Sequence, residues 1–273
     1  MIKEVSCDDN DEIFEAYKKY LAQLCRGIKT GGCIYKKGIE GIGKSSETDF
    51  IMKHVLGEGI CLLSNAQPIK SQFNKILLGK LLVVFEELPT MNENEWKAVS
   101  GRLKTLITED ITMYEDKNIK AFQAENISNF IINTNVEAIK DSDGRRYIIM
   151  PLSNKYKGNG DHFKAIKNEC YNLEVGEAFY SYMMTIIDPT NYNIQQDFPE
   201  TENKAVSRAN LLHPVFKFIK FKYILENKAI NKISPADLLK EYVAYCSSND
   251  LTPLGKIDFY RKLKENQWLP LLC

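Results

Sequence analysis

The run Gly38-Ile39-Glu40-Gly41-Ile42-Gly43-Lys44-Ser45 constrains this chain more than any other stretch. Its spacing, G-x-x-x-x-G-K-[ST], is that of the phosphate-binding P-loop. Gly32-Cys33-Ile34-Tyr35 before it reads as a short buried strand. Ser46 to about Val55 reads as a helix with Phe50, Ile51, His54 and Val55 on one side. Strand, glycine loop and helix together are the context the motif needs. Glycines let the backbone wrap closely, so the N–H groups from Gly38 through Glu40, Gly41, Ile42 and Gly43 to Ser46 can converge on one phosphate chain. The helix N-terminus adds a partial positive charge. Lys44 is placed to reach β- and γ-phosphates, and the Ser45 hydroxyl to ligate Mg²⁺. The expected cofactors are therefore ATP and Mg²⁺. The plain alternative is a glycine-rich turn with a chance lysine, and the flanking strand and helix argue against it.

The next element of such a site is an acid at a strand end. Leu81-Leu82-Val83-Val84-Phe85 is an unbroken apolar run ending in Glu86-Glu87. A buried parallel strand delivers acids to the edge where a nucleotide sits, the Walker B arrangement. Glu86 is assigned to Mg²⁺, and Glu87 to orienting the attacking water. The rival is a strand ending in solvated acids. Further on, Phe130-Ile131-Ile132 leads into Asn133-Thr134-Asn135, where an amide can bond the γ-phosphate or the water; Asn also favours strand-end turns in its own right. Asp143-Gly144 marks a turn, and Arg145-Arg146 precedes the strand Tyr147 to Met150. Arginines there are either surface residues or a finger that stabilises phosphoryl-transfer charge across a subunit boundary.

Between these lie other elements. Asp11 to Arg26 has apolar residues at near-helical spacing, with Asp8 to Asp11 as cap and acidic first turn. Ile60 to Leu63 reads as a strand, and Pro68 to Leu78 as a helix stopped by Gly79. Asn92 to Ile107 reads as a helix with Asn92 and Glu95 as a capping pair. Asp110 to Glu125 reads as a hairpin with Lys117 and Lys120 on or beside its polar tip. Glu169 to Ile187 reads as a helix and Asp188 to Glu202 as a loop. Ser207 to Glu226 reads as a helix interrupted near Pro214. Ser234-Pro235 starts a helix to about Cys246, and Lys256 to Asn266 forms another before the tail Trp268-Leu269.

With 273 residues, 44% of them apolar and 26% charged, the chain is an ordinary globule of one large or two small domains. Formal net charge is zero, so whole-chain charge does not select nucleic acid or membrane. Lys204 to Glu265 nonetheless holds 12 Lys and Arg against 6 Asp and Glu, which suits a polyanionic partner or a solvated basic surface. The seven cysteines form no C-x-x-C pair and His is scarce, against a zinc site. Scattered cysteines in apolar runs suit a reducing compartment, host cytoplasm or nucleus rather than secretion. No apolar run is long enough to span a membrane.

The order of Gly38 to Ser45, Glu86-Glu87, the lysine-bearing hairpin, Asn135 and Arg145-Arg146 resembles the superfamily 3 DNA helicases. The strings FEELP, ITED, NFIINTN and DGRRYIIM look like the helicase part of poxvirus-type primase-helicases. The resemblance covers roughly residues 10–190. It implies an α/β fold, a AAA+-like P-loop NTPase core with a central parallel sheet. It also implies a hexameric ring with ATP between subunits, moving on single-stranded DNA, usually 3′ to 5′, in viral or mobile-element replication. Asn135 matches the sensor amide, Arg145 or Arg146 the finger, and Lys117 or Lys120 the DNA-contacting position. The expected domains are a helical segment 1–30, the ATPase core 31–190, and a helical or winged-helix module 203–273. Relatives usually carry a primase or DNA-binding region before the core, so that region is expected to be absent or on another chain, the sequence being an excised fragment or a small genome's stand-alone helicase, with a primase or other replication protein as partner. The competing reading is a P-loop motor or switch acting on protein or packaging DNA. A small-molecule kinase is a third, disfavoured by paired acids followed by Asn and by the lack of an acceptor lid.

Overall fold

The computed structural model describes residues 1–139, 145–205, 212–228, 233–249 and 251–265. The expected turn at Asp143-Gly144, the start of the helix 207–226 and the tail Trp268-Leu269 lie outside the described residues. The chain divides into two units, Met1–Val206 and Ser207–Cys273.

The first unit contains strands β1 (Cys33–Lys37), β2 (Cys61–Ser64), β3 (Leu82–Glu86), β4 (Ile111–Asp116), β5 (Ile119–Glu125), β6 (Asn129–Thr134) and β7 (Tyr147–Ile149). Five make one sheet in the order β2-β3-β6-β1-β7, with every neighbouring pair parallel. Strands β4 and β5 form a separate antiparallel hairpin. Strand alternation explains the layers. Ile34, Leu82, Val84, Ile131 and Ile148 enter one core. There they meet α1 (Asp11–Cys25), α2 (Lys44–Phe50) and, from later in the chain, a helix over Leu173–Thr185. Tyr35, Val83, Phe85, Phe130, Ile132 and Tyr147 enter the core on the opposite face. That face packs on a helix over Glu93–Thr108 through Trp96, Val99, Leu103 and Ile107. The protein is thus mixed α/β with a central parallel sheet covered on both faces, which is why its strands read as unbroken apolar runs.

Local chemistry fixes the helix starts. Asn10 accepts the Ile13 N–H at 3.0 Å and opens α1. Asn92 and Glu95 form the expected capping box. Several expectations are corrected. The helix after the glycine loop begins at Lys44, and beyond Phe50 it widens into a broader turn over Ile51–Leu56. The stretch 68–78 is not one helix. It is a single turn α3 (Gln67–Lys70) and a short turn Lys75–Leu77. Asn74 is drawn to the hairpin instead, its amide donating to Met113 O at 2.9 Å and accepting the Glu115 N–H at 2.9 Å. We call the helix Glu93–Thr108 α4. The stretch 169–187 is not one helix: it holds the end of α5 (Gly160–Cys170) and then α6 (Leu173–Thr185), which Asn172 caps by accepting the Val175 N–H. The loop 188–202 contains one helical turn, α7 (Ile194–Asp197).

The second unit has helices over Pro214–Ile219, Pro235–Ser248 and Lys256–Glu265. They close on Phe218, Tyr242 and Phe259, all fully buried. Ser234 caps the second of them, as its sequence implies. The described residues of this unit form helices and their connections and include no strand, so they supply no wing. Among the described residues no helix is long and apolar enough to cross a membrane.

Candidate functional site

The glycine loop joins the carboxyl end of β1, a central strand, to α2. Register places the neighbouring strand ends beside it: Asn133 of β6 pairs with Lys36 on one side and with Glu86 of β3 on the other. A cleft of about 360 Å³ opens there. Its walls are Glu40 to Ser46, Glu86, Glu87, Asn133 to Asn135, and Phe163 from α5. Clefts at the carboxyl ends of parallel strands are where open α/β sheets bind ligands.

The loop's shape depends on its glycines. Gly41 and Gly43 have φ of +77° and +92°, a region that side chains disfavour. A Cβ on Gly43 would meet the Phe163 ring at 2.3 Å, and one on Gly38 would meet Ile42 at 2.6 Å. The Lys44 ammonium curls back over the loop. It donates to Gly38 O at 2.7 Å, Ile39 O at 2.8 Å and Asn135 Oδ1 at 2.7 Å. Burial lowers its pKa from the ordinary lysine value, against the opposing pull of Glu86 and Glu40.

Ser45 Oγ donates to Glu86 Oε2 at 3.1 Å. Asn133 Nδ2 donates to the other Glu86 oxygen at 2.7 Å and to Thr48 Oγ1 at 3.1 Å. Glu87 follows with φ +54°, and its N–H is held by Asn133 O at 2.9 Å. This left-handed step turns the chain so that Glu86 and Glu87 both line the cleft.

The structure therefore brings together Glu40, Gly41, Ile42, Gly43, Lys44, Ser45, Ser46, Glu86, Glu87 and Asn135, with Gly38 behind them under Lys44. It does not bring in the other sequence-selected residues. Lys117 and Lys120 are exposed on the hairpin, Lys117 at a tip where its N–H bonds Asp116 Oδ1. Arg145 and Arg146 sit at the start of β7, where Arg146 O accepts the Cys33 N–H at 2.7 Å. In a parallel sheet that is the edge opposite the glycine loop.

Sequence reasoning missed Asn133 as a partner of Glu86, and missed Phe163 and the pair Lys36 and Glu47. Two asparagines flanking Thr134 hinted that both amides have work. A lysine continuing the apolar run Cys33-Ile34-Tyr35 was the available signal for Lys36. Phe163 had none, since α5 buries no residue fully and reads as polar.

Comparison with known proteins adds ancestry. Residues 37–146 match a family described as a family of unknown function, DUF5906. Over 132 residues, 47% of this chain, the sequence is 33% identical to a DNA primase-polymerase of Nitratiruptor phage NrS-1; the match spans 18% of that protein. The apo structure of the NrS-1 C-terminal region superposes with a TM-score of 0.68 at 22% identity, covering 99% of this chain and 64% of that one. A second apo form of the same region gives a TM-score of 0.64 at 21% identity, covering 97% and 62%. The chain thus spans less than two thirds of the structures it matches and a far smaller share of the curated relative. It is homologous to part of a phage DNA primase-polymerase and shares the fold of the NrS-1 C-terminal region.

Proposed function

We propose that this chain is the ATP-hydrolysing motor of a DNA replication protein, an ATPase of superfamily 3 helicase type that moves on single-stranded DNA. The observation that carries the reading is the convergence of Lys44, Ser45 with Glu86, Glu87 and Asn135 in one cleft at the carboxyl edge of a parallel sheet. The similarity to a phage DNA primase-polymerase supports a place in replication.

The residues fit a magnesium nucleotide. The loop carbonyls and Asn135 that hold Lys44 are weak stand-ins for phosphate oxygens, to which the ammonium would transfer. Ser45 and Glu86 already share a hydrogen bond and would hold Mg²⁺ between them. Among the described residues no three His, Cys, Asp or Glu cluster to hold a metal ion, so Ser45 and Glu86 would rely on phosphate oxygens and water as its other partners. Mg²⁺, when bound, offsets charge on the β- and γ-phosphates. Glu87 would orient the attacking water. Asn135, with Oδ1 on Lys44, keeps its amide nitrogen for that water or the terminal phosphate. The barrier falls through positioning and electrostatics, with no covalent intermediate.

Arg145 and Arg146 stand at the opposite sheet edge, so a finger role is one exercised on a neighbouring copy's cleft, in a ring that is hexameric by the family resemblance. Lys117 and Lys120 on the exposed hairpin would then contact the DNA. A separate primase would be the natural partner. The test is ATP turnover of Lys44→Ala and Glu87→Gln: both lose it, Glu87→Gln while still binding ATP. Normal turnover in either variant contradicts the assignment.

A further inference from the structure

Phe163 is an aromatic ring in the cleft that the phosphate chemistry does not use. It lines the cleft from α5, together with Glu86 and Asn135, and is half-buried. Its ring lies against Gly43, the residue that opens α2, in the space that a Cβ there would fill. The other apolar side chain of the wall, Ile42, is buried and packs under Gly38.

The ring is held from behind. His162 meets it edge-on at 5.4 Å, and His162 stacks on Tyr156 at 3.7 Å with planes 7° apart. The Tyr156 hydroxyl donates to Glu4 at 2.8 Å. Asn159 caps α5 by accepting the His162 N–H, and the Gly158 N–H donates to Gly41 O at 3.2 Å. The segment carrying Phe163 is thus tied to the glycine loop itself. An anchored, half-buried aromatic ring beside a phosphate-binding loop matches the one part of a nucleotide that is flat and weakly hydrated, its base.

We propose that Phe163 is the platform for the base of the bound nucleotide. This rests on the reading that residues 38–46 hold a triphosphate. Every base has a π-face, so a stacking platform tolerates different bases. The cleft then distinguishes nucleoside triphosphates from bare polyphosphate more strongly than it distinguishes ATP from GTP.

The experiment is calorimetric titration of the full chain with ATP, GTP and inorganic tripolyphosphate, each with Mg²⁺, for wild type, Phe163→Ala, Phe163→Leu and Phe163→Tyr. Loss of one base stack weakens ATP and GTP about tenfold in the Ala and Leu variants, leaves tripolyphosphate within about twofold, and is restored by Tyr. Retained tripolyphosphate binding also shows that the loop is intact, and Leu keeps the packing on Gly43. If tripolyphosphate weakens as much as ATP, Phe163 only buttresses the loop and the proposal fails; unchanged ATP affinity overturns it too. If the wild type binds neither ATP nor tripolyphosphate, it is the nucleotide reading that fails first, and the platform with it.

Discussion

Lys36 and Glu47 face each other at 2.8 Å across the base of the glycine loop, both side chains fully buried. Lys36 is the penultimate residue of β1, and Glu47 lies in the first turn of α2, so the pair spans the two ends of residues 38–43. Tyr17 donates to Glu47 Oε1 at 2.6 Å, and the Ser6 hydroxyl donates to its other oxygen. The N-terminal segment and α1 are therefore bonded to the helix that carries Lys44 and Ser45. The same carboxylate adds to burial in pushing the Tyr17 hydroxyl and Cys7 thiol above their usual pKa values.

Breaking one side of a buried ion pair leaves an uncompensated charge, which costs about 3–5 kcal/mol. Lys36→Met and Glu47→Gln should each destabilise the first unit by that amount. The double variant should cost much less than the sum. Native-state hydrogen exchange of the β1 and β6 amides reads this unit separately from the second. Additive single costs would show that the two residues are not coupled.

Lys29 gives a pH signature. Its ammonium donates to Leu106 O at 2.8 Å, and burial lowers its pKa to about 8, partly opposed by Asp110 and Glu109. Between about 8 and the ordinary lysine value of 10.5, the unfolded chain holds a proton that the folded chain has lost. Stability from this group therefore rises with pH across that window and is flat below it. Other groups titrate nearby, so the measurement is the urea midpoint of wild type minus that of Lys29→Met. That difference should increase from pH 8 to 10; a flat or falling difference contradicts the account.

The hairpin lysines separate the motor reading from a switch acting on protein. Tyr114 anchors the hairpin in the core while Lys117 and Lys120 stay exposed. Changing both to Ala should remove most of any stimulation by single-stranded DNA and leave ATP affinity unaltered. It should also flatten the salt dependence of DNA binding, since each lost phosphate contact lowers the slope by about one. Unchanged stimulation would point to a motor or switch that does not track DNA through this hairpin.

The sheet was legible because buried parallel strands are apolar along their whole length, as in Leu82 to Phe85 and Phe130 to Ile132. The caps at Asn92 and Ser234 were legible because their chemistry is local. What failed depends on distant partners. Asn74 leaves a helical stretch to bond Met113 and Glu115, residues about forty positions away. Helix α5 lacks a buried stripe, so periodicity gave no sign of it or of Phe163. In the site, the residues of the loop motif and the strand-end acids could be named from spacing alone. The Asn133 link to Glu86 arises only when β3 and β6 align in register, and the strut from Lys36 to Glu47 only when α2 packs back on β1.

In the proposed motor, ATP hydrolysis in the cleft drives movement on DNA. The most direct test is ATP turnover per subunit, with and without single-stranded DNA, over protein concentrations that span ring assembly. If, as proposed, an arginine from a neighbouring copy completes each cleft, turnover should rise with DNA and with protein concentration. Turnover indifferent to both would reduce the chain to a solitary P-loop ATPase and contradict the replication-motor assignment.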